Sequence, residues 1–204
     1  MEIEDVLSAT PVIPVLVIDR PDDAVPLARA ILAGGIRVIE VTLRTPSALD
    51  AVSAIRDAVP EAMLGVGTLT RPEHFFQAAE AGAEFAVSPG LTRVLLNASK
   101  EAGIAYLPGI FTPSEAMAAR DMGFHHLKLF PAEQAGGIAM LKALADVFKD
   151  ISFCPTGGIG PENFRDYLAL PNVDSVGALW IAPESMIQAG DWDGITRLAR
   201  EACS

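Results

Sequence analysis

Only four of the 204 residues are lysine, at positions 100, 128, 142 and 149. Three of these fall on Ala- and Leu-rich stretches of helical period or at their ends. Lys128 alone sits inside an apolar run, His126-Leu-Lys-Leu-Phe130. Such a run predicts a strand, and the middle of a covered parallel strand is dry. An ammonium there is costly unless it is paired. A desolvated lysine amine is also a nucleophile toward carbonyl carbons, the chemistry of an imine-forming enzyme. Glu40 has the same character within Arg37-Val-Ile-Glu-Val-Thr42, sharing a strand face with Val38 and Thr42. An internal carboxylate needs a partner, and Lys128 is the candidate. Two readings fit the pair: an amine nucleophile with a general acid/base, or a buried structural ion pair.

Other polar groups cluster where strands should end. Arg44 follows the Glu40 strand by two residues, and a guanidinium fork matches a carboxylate or phosphate. Thr156-Gly157-Gly158, followed by Ile159-Gly160 and Pro161, allows close backbone approach to an anion ahead of a helix. Gly177-Ala178 could complete that cradle. A solvated arginine and a plain glycine-rich turn are the alternatives. Metal chemistry is not expected. His125 and His126 are adjacent and so point to opposite faces of a strand, His74 lies on a helix, and Cys154 and Cys203 are the only thiols. Ser88, Ser114 and Ser185 lack a Gly-x-Ser-x-Gly elbow.

Short apolar runs begin at Val12, Arg37, Met63, Phe85, Ala105, His126, Ile151 and Val173, and each is followed by a helical pattern. Helices are expected from about Asp22 to Ala33, from near Pro46 to before Pro60, from Pro72 to Gly82, up to Gly103, from Pro113 to Gly123, from Gly137 to Phe148, from Pro161, and in the C-terminal stretch. Eight strand–helix pairs predict a (β/α)8 barrel, with catalysis at the C-terminal ends of the strands. An open doubly wound sheet is the rival, weakened because no Gly-x-Gly-x-x-Gly follows the first strand. No linker or low-complexity tract divides residues 1–204, so one domain is expected.

The formal charge of −11, with no basic patch, argues against nucleic-acid or anionic-membrane partners. No apolar run reaches the roughly 20 residues of a membrane span. Two cysteines and an acidic start, Met1 to Asp5, predict a cytoplasmic chain.

Six motifs in order carry a resemblance: Glu40-Val-Thr-Leu-Arg-Thr45, Gly67-Thr68, Ser88-Pro-Gly-Leu91, Pro108-Gly-Ile110, Lys128-Leu-Phe-Pro-Ala-Glu133 and Phe153-Cys-Pro-Thr-Gly-Gly-Ile159. From about Val12 to Ala202 the chain resembles the 2-keto-3-deoxy-6-phosphogluconate (KDPG) aldolase family, which also covers 4-hydroxy-2-oxoglutarate aldolase activity. The resemblance implies a homotrimeric barrel and a class I aldolase without metal or cofactor, acting on a 2-keto acid and releasing pyruvate. It makes Lys128 the Schiff-base lysine and Glu40 the acid/base. It puts Arg44 at the substrate carboxylate and Thr68 on the substrate. Pro89 and Phe130 become pocket walls, and Gly157 and Gly158 the phosphate-binding backbone. Thr156 resembles the threonine associated with a gluconate-configured substrate.

One departure bears on the substrate. The family's Gly-Gly-Ser-Trp at the end of strand eight is Gly177-Ala-Leu-Trp180 here, so Leu179 replaces a serine that helps hold phosphate. Phe111 likewise replaces a small polar residue. The expected reaction is cleavage of KDPG to pyruvate and glyceraldehyde 3-phosphate. A preference for 4-hydroxy-2-oxoglutarate or another non-phosphorylated 2-keto acid is the nearest alternative. A phosphosugar isomerase or epimerase, or a phosphometabolite-binding barrel, is more distant.

Overall fold

The computed structural model describes residues 1–204. Nine strands form: β1 (Val12–Leu16), β2 (Val38–Thr42), β3 (Met63–Gly67), β4 (Phe85–Val87), β5 (Ala105–Leu107), β6 (Gly109–Ile110), β7 (His126–Leu129), β8 (Ser152–Pro155) and β9 (Val176–Ala178). Ten helices accompany them: α1 (Ile3–Ser8), α2 (Pro21–Ala33), α3 (Ala48–Ala58), α4 (Glu73–Glu80), α5 (Arg93–Ala102), α6 (Pro113–Asp121), α7 (Gly137–Val147), α8 (Phe164–Leu168), α9 (Glu184–Ala189) and α10 (Trp192–Cys203).

Every strand pair is parallel. The strands make a curled six-stranded sheet, ordered β5-β4-β3-β2-β1-β9, and a three-stranded sheet, β6-β7-β8. The expected single ring of eight strands is thus observed as two ladders. The interruption has a physical cause at Pro108, which has no N–H to donate and splits the fifth strand into β5 and β6. Its carbonyl still accepts from the Lys128 N–H at 2.9 Å. At the other junction β8 meets the ninth-strand region through single bridges, Phe153 with Val173 and Thr156 with Gly177.

One helix start is corrected and one helix is additional. The helix expected from Pro161 begins at Phe164, because the Asn163 side chain first accepts the Gly160 N–H at 2.9 Å and holds a turn there. Helix α1 was not expected. Its six residues carry three apolar side chains and two acids, too short a pattern to read as periodic.

The core has two parts. A 51-residue cluster joins the helices to the outward faces of the strands, with members from Val12 to Ala202. A second cluster holds Val6, Leu7, Ile13, Val38, Phe85, Val87, Leu107 and Cys154. Its strand members take alternate positions, on the face that also carries Glu40, two residues beyond Val38. Val6 and Leu7 bring α1 against this inner face, which explains why so short a helix is ordered. Burying such side chains stabilises by about 1.5–3 kcal/mol each.

Candidate active site

Lys128 and Glu40 come together inside the curl of the sheets. Lys128 Nζ is 3.6 Å from Glu40 Oε1, with side-chain exposures of 6% and 4%. The two side chains meet because β2 and β7 each turn one charged residue toward the shared interior. Glu40 Oε1 is buried without a hydrogen-bond partner. An orphaned carboxylate oxygen beside a primary amine is poised to take or give a proton. Space for it is made by Gly67, the β3 residue paired with Thr42. A Cβ at Gly67 would lie 1.9 Å from Oε1.

Besides Glu40, the amine has an aromatic ring and a neutral thiol for neighbours. The Phe130 ring centroid lies 5.3 Å from Lys128 Nζ. Cys154 on β8 is the register partner of Lys128. Burial pushes its thiol up to about 11, so it stays protonated. On the outward, helix-facing side of β5, burial pushes the Tyr106 phenol up to about 12. Its hydroxyl shares a 2.6 Å hydrogen bond with Ser88 Oγ, which in turn donates to the Gly90 carbonyl at 2.7 Å. That pair fixes the Ser88–Gly90 turn and with it Pro89. Gly109 allows the turn to close in, since a Cβ there would lie 2.4 Å from the Pro89 carbonyl carbon.

The remaining expected residues lie beyond the same, C-terminal ends of the strands. Arg44 is exposed on the β2–α3 loop. Three hydroxyls tie its strand and loop to the neighbouring β1 segment. Thr42 donates to Leu16 O at 2.8 Å, Thr45 to Ile18 O at 2.6 Å and Ser47 to Ile18 O at 2.7 Å. Thr68 follows β3 with φ of 66°, the only non-glycine residue in the left-handed region. Such a conformation in a β-branched residue is strained and is held only by its surroundings. Thr156 is buried at the end of β8, and its side chain fills the space that a Cβ on Gly177 would need. Gly157 and Gly158 have φ of 102° and 77°. They run beside the loop after β7, where a Cβ on Gly157 would come within 3.2 Å of Pro131.

The sequence reading did not single out Gly67, the hydroxyl ties of the Arg44 loop, or the Glu133–Tyr167 contact described below. Gly67 and Glu133 do stand inside the quoted motifs. A cavity of about 700 Å³ lies elsewhere, between α1 and the ends of α5 and α6. Near it, His126 Nδ1 contacts both Asp174 Oδ2 at 2.9 Å and Ser152 Oγ at 2.8 Å. Both partners use one ring nitrogen, so this is not a relay in which the imidazole activates the serine. No group of three or more His, Cys, Asp or Glu side chains is arranged to hold a metal.

Known proteins resemble this chain along nearly its whole length. The model of the family "KDPG and KHG aldolase" matches residues 3–198. The chain is 53% identical over 199 residues to the 2-dehydro-3-deoxy-phosphogluconate aldolase of Pseudoalteromonas atlantica, covering 98% of this chain and 93% of the relative. Identity to the KHG/KDPG aldolase of Escherichia coli K12 is 51% at the same coverage. Among solved structures, the KDPG aldolase of Legionella pneumophila, with pyruvate captured at low pH as a covalent carbinolamine intermediate, superposes with a TM-score of 0.98 at 48% identity. That match covers 100% of this chain and 99% of the other.

Proposed function

We propose a reaction for this chain from the premise that it belongs to the KDPG and KHG aldolase family. It is a lyase, a class I aldolase that cleaves KDPG to pyruvate and glyceraldehyde 3-phosphate through a Schiff base on Lys128. The observation that carries this reading is the buried amine–carboxylate pair, 3.6 Å apart, with one carboxylate oxygen unpartnered.

The neutral Lys128 amine attacks the C2 ketone, and Glu40 moves the protons that turn the carbinolamine into an imine with loss of water. The protonated imine accepts the electron pair of the C3–C4 bond as that bond breaks. Glu40 takes the C4 hydroxyl proton, and the aldehyde leaves. The enamine gains a proton at C3, and water hydrolyses the imine to release pyruvate and the free amine. Phe130 and Pro89 wall the pocket and keep water from the enamine. Arg44 pairs with the substrate carboxylate, and Thr68 contacts the substrate. Thr156 reads the configuration of the sugar-acid chain. The Gly157–Gly158 backbone holds the phosphate. No cofactor or metal takes part.

The same reading includes a closed eight-strand barrel, supported by the Thr156–Gly177 bridge and the Lys128 N–H to Pro108 bond at the two junctions. It includes one domain over 1–204, supported by the continuity of the large apolar cluster. A homotrimer in the cytoplasm, without nucleic-acid or membrane partners, completes it. No helix is long and apolar enough to cross a membrane, and size-exclusion chromatography with light scattering tests the trimer.

Leu179 favours a second reading, in which 4-hydroxy-2-oxoglutarate is preferred. It stands just past β9 with 43% of its surface exposed, and it offers no hydroxyl to a phosphate. Measuring kcat/KM on both substrates decides between them. A higher value for KDPG is expected, and the reverse order overturns that preference. In either case Lys128→Ala should abolish pyruvate release, and retained turnover would overturn the aldolase reading.

A further inference from the structure

Glu133 is an acidic side chain beside the turn to which the proposed function assigns an anion, and the mechanism above does not use it. Its contacts are extensive. The Ala132 N–H donates to Thr156 O at 2.9 Å, and the Glu133 N–H donates to Gly157 O at 3.2 Å. The loop after β7 therefore continues the ladder onto the Gly157–Gly158 turn. The Glu133 side chain then lies across Gly158, where an added Cβ would come within 2.3 Å of Glu133 Cγ. Its Oε1 accepts a hydrogen bond from the hydroxyl of Tyr167, which is buried on α8. Burial, with the bond and charge of Glu133, pushes that phenol up, so it remains a donor throughout the working range. On the other side stands Gly137, with φ of 56°, where a Cβ would lie 2.8 Å from the Tyr167 oxygen and 3.3 Å from Glu133 Oε1. Two glycines in left-handed conformations thus leave room for one carboxylate–phenol contact between α7, α8 and the β8 turn.

We infer that Glu133, gripped by Tyr167, is a positioning residue that sets the separation between the imine-forming end of the site and the Gly157–Gly158 turn, and so determines specificity for phosphorylated substrates. This rests on the reading of that turn as the phosphate cradle. The same loop carries Phe130, whose ring stands over Lys128, three residues before Glu133. A substrate bound at both ends must match this separation, whereas one without a phosphate has no need of it. The carboxylate itself does not attract the anion. Its charge is engaged by the phenol, and its work is to hold backbone to backbone.

The test compares Tyr167→Phe, Glu133→Ala and Glu133→Gln on KDPG and on 4-hydroxy-2-oxoglutarate. Losing a hydrogen bond to a charged group should raise KM for KDPG by about tenfold or more in Tyr167→Phe and Glu133→Ala, with kcat within about twofold. Both constants for 4-hydroxy-2-oxoglutarate should stay within about twofold of wild type. Glu133→Gln keeps an oxygen for the Tyr167 hydroxyl and should restore KM for KDPG. Equal losses on both substrates, an unchanged KM in Tyr167→Phe, or a lowered KM in Glu133→Gln would each overturn the inference. The last outcome would mean that the carboxylate merely repels phosphate. Borohydride trapping of pyruvate on each variant separates the two levels. Absence of an adduct in the wild-type protein would defeat the aldolase reading itself, whereas adducts in every variant with parallel KM values would defeat only the role of Glu133.

Discussion

Gly67→Ala is the substitution whose effect follows most directly from the geometry. The added methyl would sit 1.9 Å from Glu40 Oε1, 2.6 Å from Cδ and 2.8 Å from Cγ. Ordinary carbon–oxygen contact begins near 3.4 Å, so the carboxylate must retreat by about 1.5 Å. Gly67 is not in the left-handed region, so alanine meets no backbone strain there, and the three nearest atoms all belong to the Glu40 side chain. A misplacement of about 1 Å in a reacting group costs on the order of 100-fold in rate. Overpacking a buried position costs about 1–3 kcal/mol, a few degrees in Tm for a chain of this size. The assay couples pyruvate release to lactate dehydrogenase, with Tm measured in parallel. A folded variant should lose about 100-fold in kcat while still forming a pyruvyl adduct on prolonged trapping, because Lys128 is untouched. Wild-type kcat in the folded variant would refute the reasoning, since the carboxylate would then have no need to stand where it does.

Two other perturbations test separate parts of the molecule. Arg44→Ala should raise KM for both 2-keto acids by about 10- to 100-fold, the loss of a charge-assisted pair, and unchanged KM values would remove Arg44 from the substrate carboxylate. His126 bears on stability rather than turnover. Its hydrogen bond to Asp174 raises its pKa, whereas Asp174, pushed up by burial, is held lower on balance by His126 and Ser152. The raised histidine stabilises fully below its unfolded pKa of about 6.5, and that contribution fades as pH rises through the folded value. The lowered aspartate contributes above about pH 4 and is lost below it. The Tm gap between wild type and His126→Gln should therefore be widest between about pH 4 and 6.5 and should shrink by pH 9. A gap that widens above neutrality would contradict the assignment.

Much of the site was legible because charge inside an apolar strand is conspicuous. Lys128 between two leucines and Glu40 between Ile39 and Val41 announce themselves, and their meeting follows once both strands face one interior. Arg44 was legible only as a loop position. The hydroxyls that tie its loop to Leu16 and Ile18 cross between elements far apart in sequence, and no local pattern encodes them. Gly67 reads as an ordinary strand glycine until the Glu40 carboxylate is seen lying over it. The strand–helix alternation gave the parallel class, but a single proline decided where the ladder breaks. Helix α1 was hidden because Val6 and Leu7 acquire a partner only after distant strands assemble the inner face.

The central claim is that Lys128 forms an imine with a 2-keto acid. Borohydride reduction in the presence of pyruvate, followed by peptide mass mapping, tests it most directly. The expected result is one reduced pyruvyl adduct, on Lys128 and on none of Lys100, Lys142 or Lys149. Folded protein that carries no adduct, or carries it on one of the other three lysines alone, would contradict the claim.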